Sequence, residues 1–200
     1  MITHYHFNEI DSTNTQAKVF ANNAFSNKTS INTGVVFTAE TQTKGRGRGT
    51  HHWYSSPRDG LYYSLLIPAP MGYDKLQTLT QKIGKLTINV IHDISGILPT
   101  LEWPNDIIMN DKKLGGILIE SVGGSNQNAP RYVIIGIGIN LNHTQFPDDL
   151  TVTSISIRQI TQSRYNSGTF ITTLTKEIMT CLFEAYEGLL PPKKIQQIIF

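Results

Sequence analysis

The chain has 200 residues, 39% of them apolar and 16% charged, which suits one globular domain with a packed core and would be cramped for two. Its formal charge of +2 excludes a broad electrostatic drive toward nucleic acid or a membrane surface, so useful positive charge must be concentrated locally. A single cysteine, Cys181, excludes an internal disulfide and a zinc-ligand spacing, and with no secretory opening or membrane-length apolar run a soluble cytoplasmic protein is expected.

In chain order, His4 to Ile10 reads as a short strand, and Asp11-Ser12-Thr13 offers N-caps for a helix to about Ala24. Gly34 to Ala39 and Leu61 to Ile67 read as buried strands, the second ending at Pro68, with a long Gly- and Arg-bearing loop between them. Leu76, Leu79, Ile83, Leu86, Val90 and Ile94 recur at intervals of three and four, the mark of an amphipathic helix lying on one face of a sheet. Ile107 to Met109, a polar Asn110-Asp111-Lys112 turn and Gly115 to Val122 form a hairpin pattern, and Tyr132 to Asn140 reads as a central strand. A last helix, Thr169 to Glu187, gathers Phe170, Leu174, Ile178, Leu182 and Tyr186 on one face. The only linker-like stretch, Gly123 to Pro130, is too short to divide the chain into separate domains. Strands in pairs with intervening helices, lacking strict βαβ alternation, predict an α+β fold: a mixed β-sheet with helices packed on one side.

Chemistry concentrates at four places. Gln42-Thr43-Lys44-Gly45-Arg46-Gly47-Arg48-Gly49 sets three cations among three glycines, so backbone N–H groups and guanidinium forks can surround a phosphate or carboxylate. The spacing is not that of a Walker loop; a solvated RGG-like segment is the competing reading, and strands on both sides favour a functional loop on a rigid scaffold. In Tyr132 to Asn140 the alternation puts Ile135, Ile137 and Ile139 on one face and Gly136, Gly138 and Asn140 on the other. That bare face, echoed by Gly115-Gly116 in the adjacent strand, suggests a floor for a ligand ring system rather than a helix-packing surface. Trp103-Pro104-Asn105-Asp106 brings a rigid turn and a carboxamide–carboxylate pair, suited to a polar ligand or Mg²⁺. Lys113, across the hairpin turn, can lean over the floor as a point charge. Singly, Asp106 as a turn former and Lys113 as a solvated edge charge are the blander readings. His51 and His52 lack the companions a metal site needs, and Cys181 sits among Ile178, Leu182 and Phe183 as core.

Taken in order, Asp11-Ser12-Thr13-Asn14, Gln42 with Gly45-Arg46-Gly47-Arg48, Trp103-Pro104-Asn105-Asp106, Lys113-Leu114-Gly115-Gly116-Ile117-Leu118 with Glu120, and Gly136-Ile137-Gly138-Ile139-Asn140 resemble the catalytic domain of biotin–protein ligases. The resemblance spans about residues 11 to 140 and is far more specific as an ordered set than any one motif. It implies a class II aminoacyl-tRNA synthetase-like fold and a two-step, AMP-forming ligase reaction with ATP and Mg²⁺. Biotin is first activated as biotinyl-5′-AMP, and a lysine of a biotin carboxyl carrier protein domain then takes the acyl group. Carried over by position, Ser12, Thr13, Asn14, Gln42, Gly45, Arg46, Gly47, Arg48, Trp53, Lys113, Gly115, Gly116, Gly136 and Gly138 are expected to hold biotin. Arg46, Arg48, Asn105, Asp106, Lys113 and Asn140 are expected on the ATP side. Lys113, Arg48 and Asp106 are the expected catalytic groups, Asp106 also serving Mg²⁺ and the incoming lysine.

Three departures from the family pattern stand out: Glu102 where a lysine is usual before Trp-Pro-Asn-Asp, the altered segment Gly49-Thr50-His51-His52-Trp53, and an end at Phe200. The expectation is therefore one catalytic domain over residues 1–200, without an N-terminal helix-turn-helix and with the family's small C-terminal β-barrel absent or truncated. A monomer or homodimer with no DNA or membrane partner follows. Two alternatives stay open: a lipoate–protein ligase or octanoyltransferase-like enzyme of the same fold, and a protein that binds biotin without turning it over.

Overall fold

The computed structural model describes residues 2–69, 71–124 and 129–185. Its elements run β1 (Thr3–Ile10), α1 (Thr13–Ser26), β2 (Val35–Gln42), β3 (Gly60–Pro68), α2 (Leu76–Ser95), β4 (Thr100–Glu102), β5 (Asp106–Met109), β6 (Lys112–Val122), β7 (Tyr132–Asn140), α3 (Asp148–Thr151), α4 (Ile157–Thr161) and α5 (Ser167–Ala185). The seven strands make one sheet ordered β1-β2-β3-β7-β6-β5-β4, parallel at β1–β2 and antiparallel at every other pair. The isoleucine-rich β7 lies at its centre, where both faces are covered, which is what a near-continuous apolar run requires.

Two apolar clusters follow from the alternation. Val36, Leu61, Tyr63, Leu65, Ile135, Ile137 and Ile139 point to one face, where Leu79, Ile83 and Ile91 of α2 and Phe170, Leu174 and Ile178 of α5 meet them. Val35, Phe37, Leu66 and Ile134 point to the other and pack on Ala17 and Ala21 of α1. The two long helices thus share one side as expected, while α1 adds a layer over part of the opposite face. The small Ala17 and Ala21 let α1 approach closely; they are too few to announce a stripe from sequence.

Local signals mostly act where they stand. Gly96 ends α2 in the left-handed region at φ 76°, a conformation that costs glycine no Cβ clash. The β5–β6 hairpin turns on Asn110 and Asp111, both at positive φ of 52° and 58°, the primed turn that matches strand twist. Lys112 therefore opens β6 rather than belonging to the turn. Ser12 occupies the N-cap of α1 without a capping bond; its own N–H instead donates to Asp11 Oδ1 at 2.6 Å. The stretch 123–130 joins β6 to β7, and its residues 125–128 lie outside the described residues, as do Tyr186 and Glu187 of the expected last helix. Among the described residues no helix is long and apolar enough to cross a membrane.

Candidate active site

The floor of the site is the α1-side face of β6 and β7. Gly116 pairs with Gly138, Leu118 with Gly136 and Glu120 with Ile134, so the two strands present their small residues together. The room left by the missing side chains is used. A Cβ on Gly138 would stand 2.6 Å from Trp53 Cε2, and one on Gly136 would collide with Asn14 Oδ1. Above this floor lies a cavity of about 310 Å³, near the lower end of small-ligand sites. Gly115 is a correction to the expected floor. It points the other way, toward Ile107 and the Gly138 carbonyl, because neighbouring strand residues face opposite sides.

At one end of the cavity α1 brings Ser12, Thr13 and Asn14 to the sheet. Gln42, the last residue of β2, accepts at Oε1 from Thr13 N at 2.9 Å and from Thr13 Oγ1 at 3.2 Å, and its Nε2 donates to Ser55 Oγ at 3.0 Å. Beneath them, fully buried Ser64 donates to Asn14 Oδ1 at 2.6 Å and lies 2.7 Å from Thr13 Oγ1. Asn14 also donates from Nδ2 to Glu120 Oε2 at 2.9 Å. Buried polar groups are held in one geometry when each finds a partner, and this cluster does so.

The loop between β2 and β3 forms the wall. Judged by its sequence it has little of its own to order it, yet it folds back on itself: Gly47 N donates to His51 O at 2.8 Å and Trp53 N to Gly45 O at 2.9 Å. That closure explains Gly45, which does not line the cavity; a Cβ there would strike the Trp53 carbonyl and crowd Ser55 and Gln42. Arg46, Gly47, Arg48, His51, His52 and Trp53 all line it. The Trp53 indole rests over Gly138 with its Nε1 buried and without a hydrogen-bond partner. Arg46 Nη2 is spoken for, 2.6 Å from Glu120 Oε1, whereas Arg48 has no ion pair among the described residues. Tyr62, also at the wall, donates to Ser56 O at 2.8 Å, and burial raises its hydroxyl pKa so that it stays neutral.

The far edge holds the cation–carboxylate pair. Lys113 Nζ lies 2.8 Å from Asp106 Oδ2 and 5.9 Å from the centre of the Trp53 ring. Asn105 Nδ2 donates to Asp106 Oδ1 at 2.9 Å, and all three side chains reach the cavity. Asn140, expected on the nucleotide side, is instead spent on the backbone: its Nδ2 donates to Lys113 O and to Ile155 O, each at 3.2 Å. It lies outside the cavity lining and steadies the strand that carries Lys113. Glu102 is exposed and also outside that lining. Among the described residues no group of three His, Cys, Asp or Glu side chains could hold a metal ion.

Sequence reasoning missed Ser64 and underrated Glu120. Glu120 carried a signal, a carboxylate in an apolar strand on the same parity as Gly116 and Leu118; Ser64, within Tyr62-Tyr63-Ser64-Leu65-Leu66, carried none. The profile of the biotin/lipoate A/B protein ligase family matches residues 7–140. The chain is similar to the bifunctional ligase/repressor BirA of Bacillus subtilis, at 33% identity over 155 residues, 76% of this chain and 46% of the relative. It is similar to the biotin–[acetyl-CoA-carboxylase] ligase of Mycobacterium tuberculosis at 29% over 130 residues, 62% of this chain and 45% of that one. Among solved structures, the biotin protein ligase from Aquifex aeolicus in complex with biotin and ATP superposes with a TM-score of 0.76 at 27% identity, covering 93% of this chain and 72% of the other. The mixed sheet is thus of the class II aminoacyl-tRNA synthetase-like kind. The chain spans about half the length of the curated relatives it matches.

Proposed function

Because the chain belongs to the biotin/lipoate A/B protein ligase family, we propose that it activates biotin with ATP and passes the acyl group to a lysine of a biotin carboxyl carrier protein domain. The observation that carries the reading is Lys113 at the edge of the glycine floor, its ammonium fixed by Asp106 at 2.8 Å and facing the same cavity as Arg48, which has no ion pair among the described residues. Two cations converging on one bare surface suit a carboxylate meeting a phosphate. The Aquifex relative is a complex with biotin and ATP, which supports the choice of both substrates.

Biotin's fused rings pack in the cavity against the Trp53 indole that covers Gly138, with the ureido group toward Ser12, Thr13 and Gln42, whose polar atoms offer it donors and acceptors in a buried setting. The biotin carboxylate oxygen attacks the α-phosphorus of ATP, and the bond to pyrophosphate breaks. Free carboxylates need this step, because an oxide dianion is a very poor leaving group and AMP is a good one. Arg48 and Lys113 offset the charge that gathers on the phosphoryl oxygens. The nucleotide extends toward a second cavity, of about 390 Å³, that shares Arg48 and Asn105 with the first. Asp106 is the residue that would offer an oxygen to a Mg²⁺ carried in by the triphosphate, and such an ion would offset charge on the phosphates. In the second step the carrier amine attacks the acyl carbon, the bond to AMP breaks, and the amine gives up a proton. Asp106 orients that amine.

One incubation tests the reading: the protein with ATP, biotin or lipoate, and a biotin carrier domain, followed for pyrophosphate and carrier mass. Biotin-dependent pyrophosphate and a carrier heavier by one biotinyl group are expected. Lipoyl transfer in place of biotinyl transfer, or biotin bound with no pyrophosphate formed, would overturn it.

A further inference from the structure

We propose that Glu120 is a positioning residue that clasps the Gly-Arg-Gly-Arg loop down on the cavity through Arg46. Its carboxylate joins three elements at once. Oε1 lies 2.6 Å from Arg46 Nη2 of the loop, Oε2 accepts from Asn14 Nδ2 of α1 at 2.9 Å, and the backbone belongs to β6 opposite Ile134. The carboxylate side is shielded, with Glu120 15% exposed in its side chain against 39% for Arg46, so solvent screens the pair less than it would a surface bridge.

The loop depends on this contact. At residue 53 the loop is held by Ser55 Oγ, which donates to Trp53 O at 3.3 Å; the remaining bonds of residues 45–52 are internal, from Gly47 N to His51 O, His51 N to Arg48 O and Trp53 N to Gly45 O. Such bonds shape a loop without fastening it to anything. Among the described residues, the ion pair is the polar link between loop residues 45–52 and the sheet. Arg46 is therefore committed to Glu120 at the loop edge, as Lys113 is to Asp106, while Arg48 has no ion pair among the described residues. Releasing Arg46 frees residues 46–52, which carry Arg48, up to the anchor at Trp53.

The consequence for chemistry rests on the ligase reading: a loosened loop lets water reach the acyl-adenylate, or lets it leave, before the carrier lysine arrives. Glu120→Gln isolates the clasp, because its one carbonyl oxygen can still serve Asn14 while the charge for Arg46 is gone; Arg46→Met removes the other half. In the ligand-free protein each variant should speed amide exchange over residues 45–53 and leave β7 unchanged. With biotin, ATP and carrier, pyrophosphate released per carrier acylated should rise about tenfold in either, as for loss of a charge-assisted bond. The double variant should be no worse than the poorer single, since both break one contact. Unchanged loop exchange in both variants, a ratio equal to wild type, or effects that multiply in the double variant would each overturn the clasp. Wild-type protein that makes no pyrophosphate would instead sink the ligase reading, and the exchange measurement would still decide the clasp.

Discussion

On one face of β7, Ile135, Ile137 and Ile139 are buried in the cluster that α2 and α5 complete; one residue along, on the other face, Gly136 and Gly138 carry Asn14 and Trp53. The first face is filled by its own side chains and the second by side chains that other elements lay on bare backbone. Apolar area removed from water stabilises the first. The second gains little from burial and is shaped by neighbours brought from far along the chain, a helix start and a loop. A strand that costs stability on one face and supplies it on the other is a way to place a binding surface on a rigid element.

The largest effect expected from disturbing only the bare face is that of Lys113→Ala. Biotin-dependent pyrophosphate release should fall roughly 10²–10³-fold, as when one charge-stabilising donor is removed, with the thermal midpoint nearly unchanged. Lys112→Ala is the control, since among the described residues the Lys112 ammonium reaches only the Thr151 carbonyl, at 3.3 Å. Near-normal release by the Lys113 variant would take that residue out of the mechanism.

Adjacent substitutions on β7 sharpen the contrast. Ile137→Ala opens a hole in the core and should cost about 2–5 kcal/mol of stability, read by denaturant unfolding, while biotin affinity stays near wild type in the folded fraction. Gly138→Ala should do the reverse, because its methyl would stand 2.6 Å from the Trp53 ring and push the indole off the floor. Titration calorimetry with biotin reads the second change. If the alanine at 138 unfolds the protein, or the one at 137 abolishes binding, the two faces are not separable.

The smallest effect concerns pH. His143, 1% exposed, stacks on Phe146 at 4.8 Å beside Tyr54, and neither of its ring nitrogens has a hydrogen-bond partner. Burial lowers its pKa below the ordinary 6.5, with Asp59 pulling weakly the other way. The unfolded chain therefore binds this proton more readily than the folded one, so stability is whole above about pH 6.5 and declines as pH falls below it. His4, lowered by burial and by His6, adds a slope of the same sign. His143→Phe should flatten the decline without abolishing it, measured as the denaturation midpoint at pH 7.5 and 5.5. An equal slope in both proteins would show that His143 takes up its proton as readily in the folded chain as in the unfolded one.

The long elements were legible in the sequence because their causes are local, while the short β4, α3 and α4 gave no periodicity to read. Alternation with period two named the two faces of β7, spacing of three and four named α2, and Asn110-Asp111 named the hairpin. So, too, were most cavity residues, from Ser12 to Gly138, since ordered motifs carry them. What the sequence left open were choices that depend on register and on partners distant in the chain. Gly115 and Gly116 read alike until pairing with β7 sent one to the core and the other to the floor. Asn140 shares the parity of Gly138, yet its amide goes to the carbonyls of Lys113 and Ile155. Arg46 looks like an anion ligand in its loop and became the partner of Glu120, 74 residues away. A residue's side of a strand is set by its neighbours in sequence; whether its polar atoms are free for a ligand is set by what the fold carries within about 3 Å of them, and that is decided only when the sheet closes.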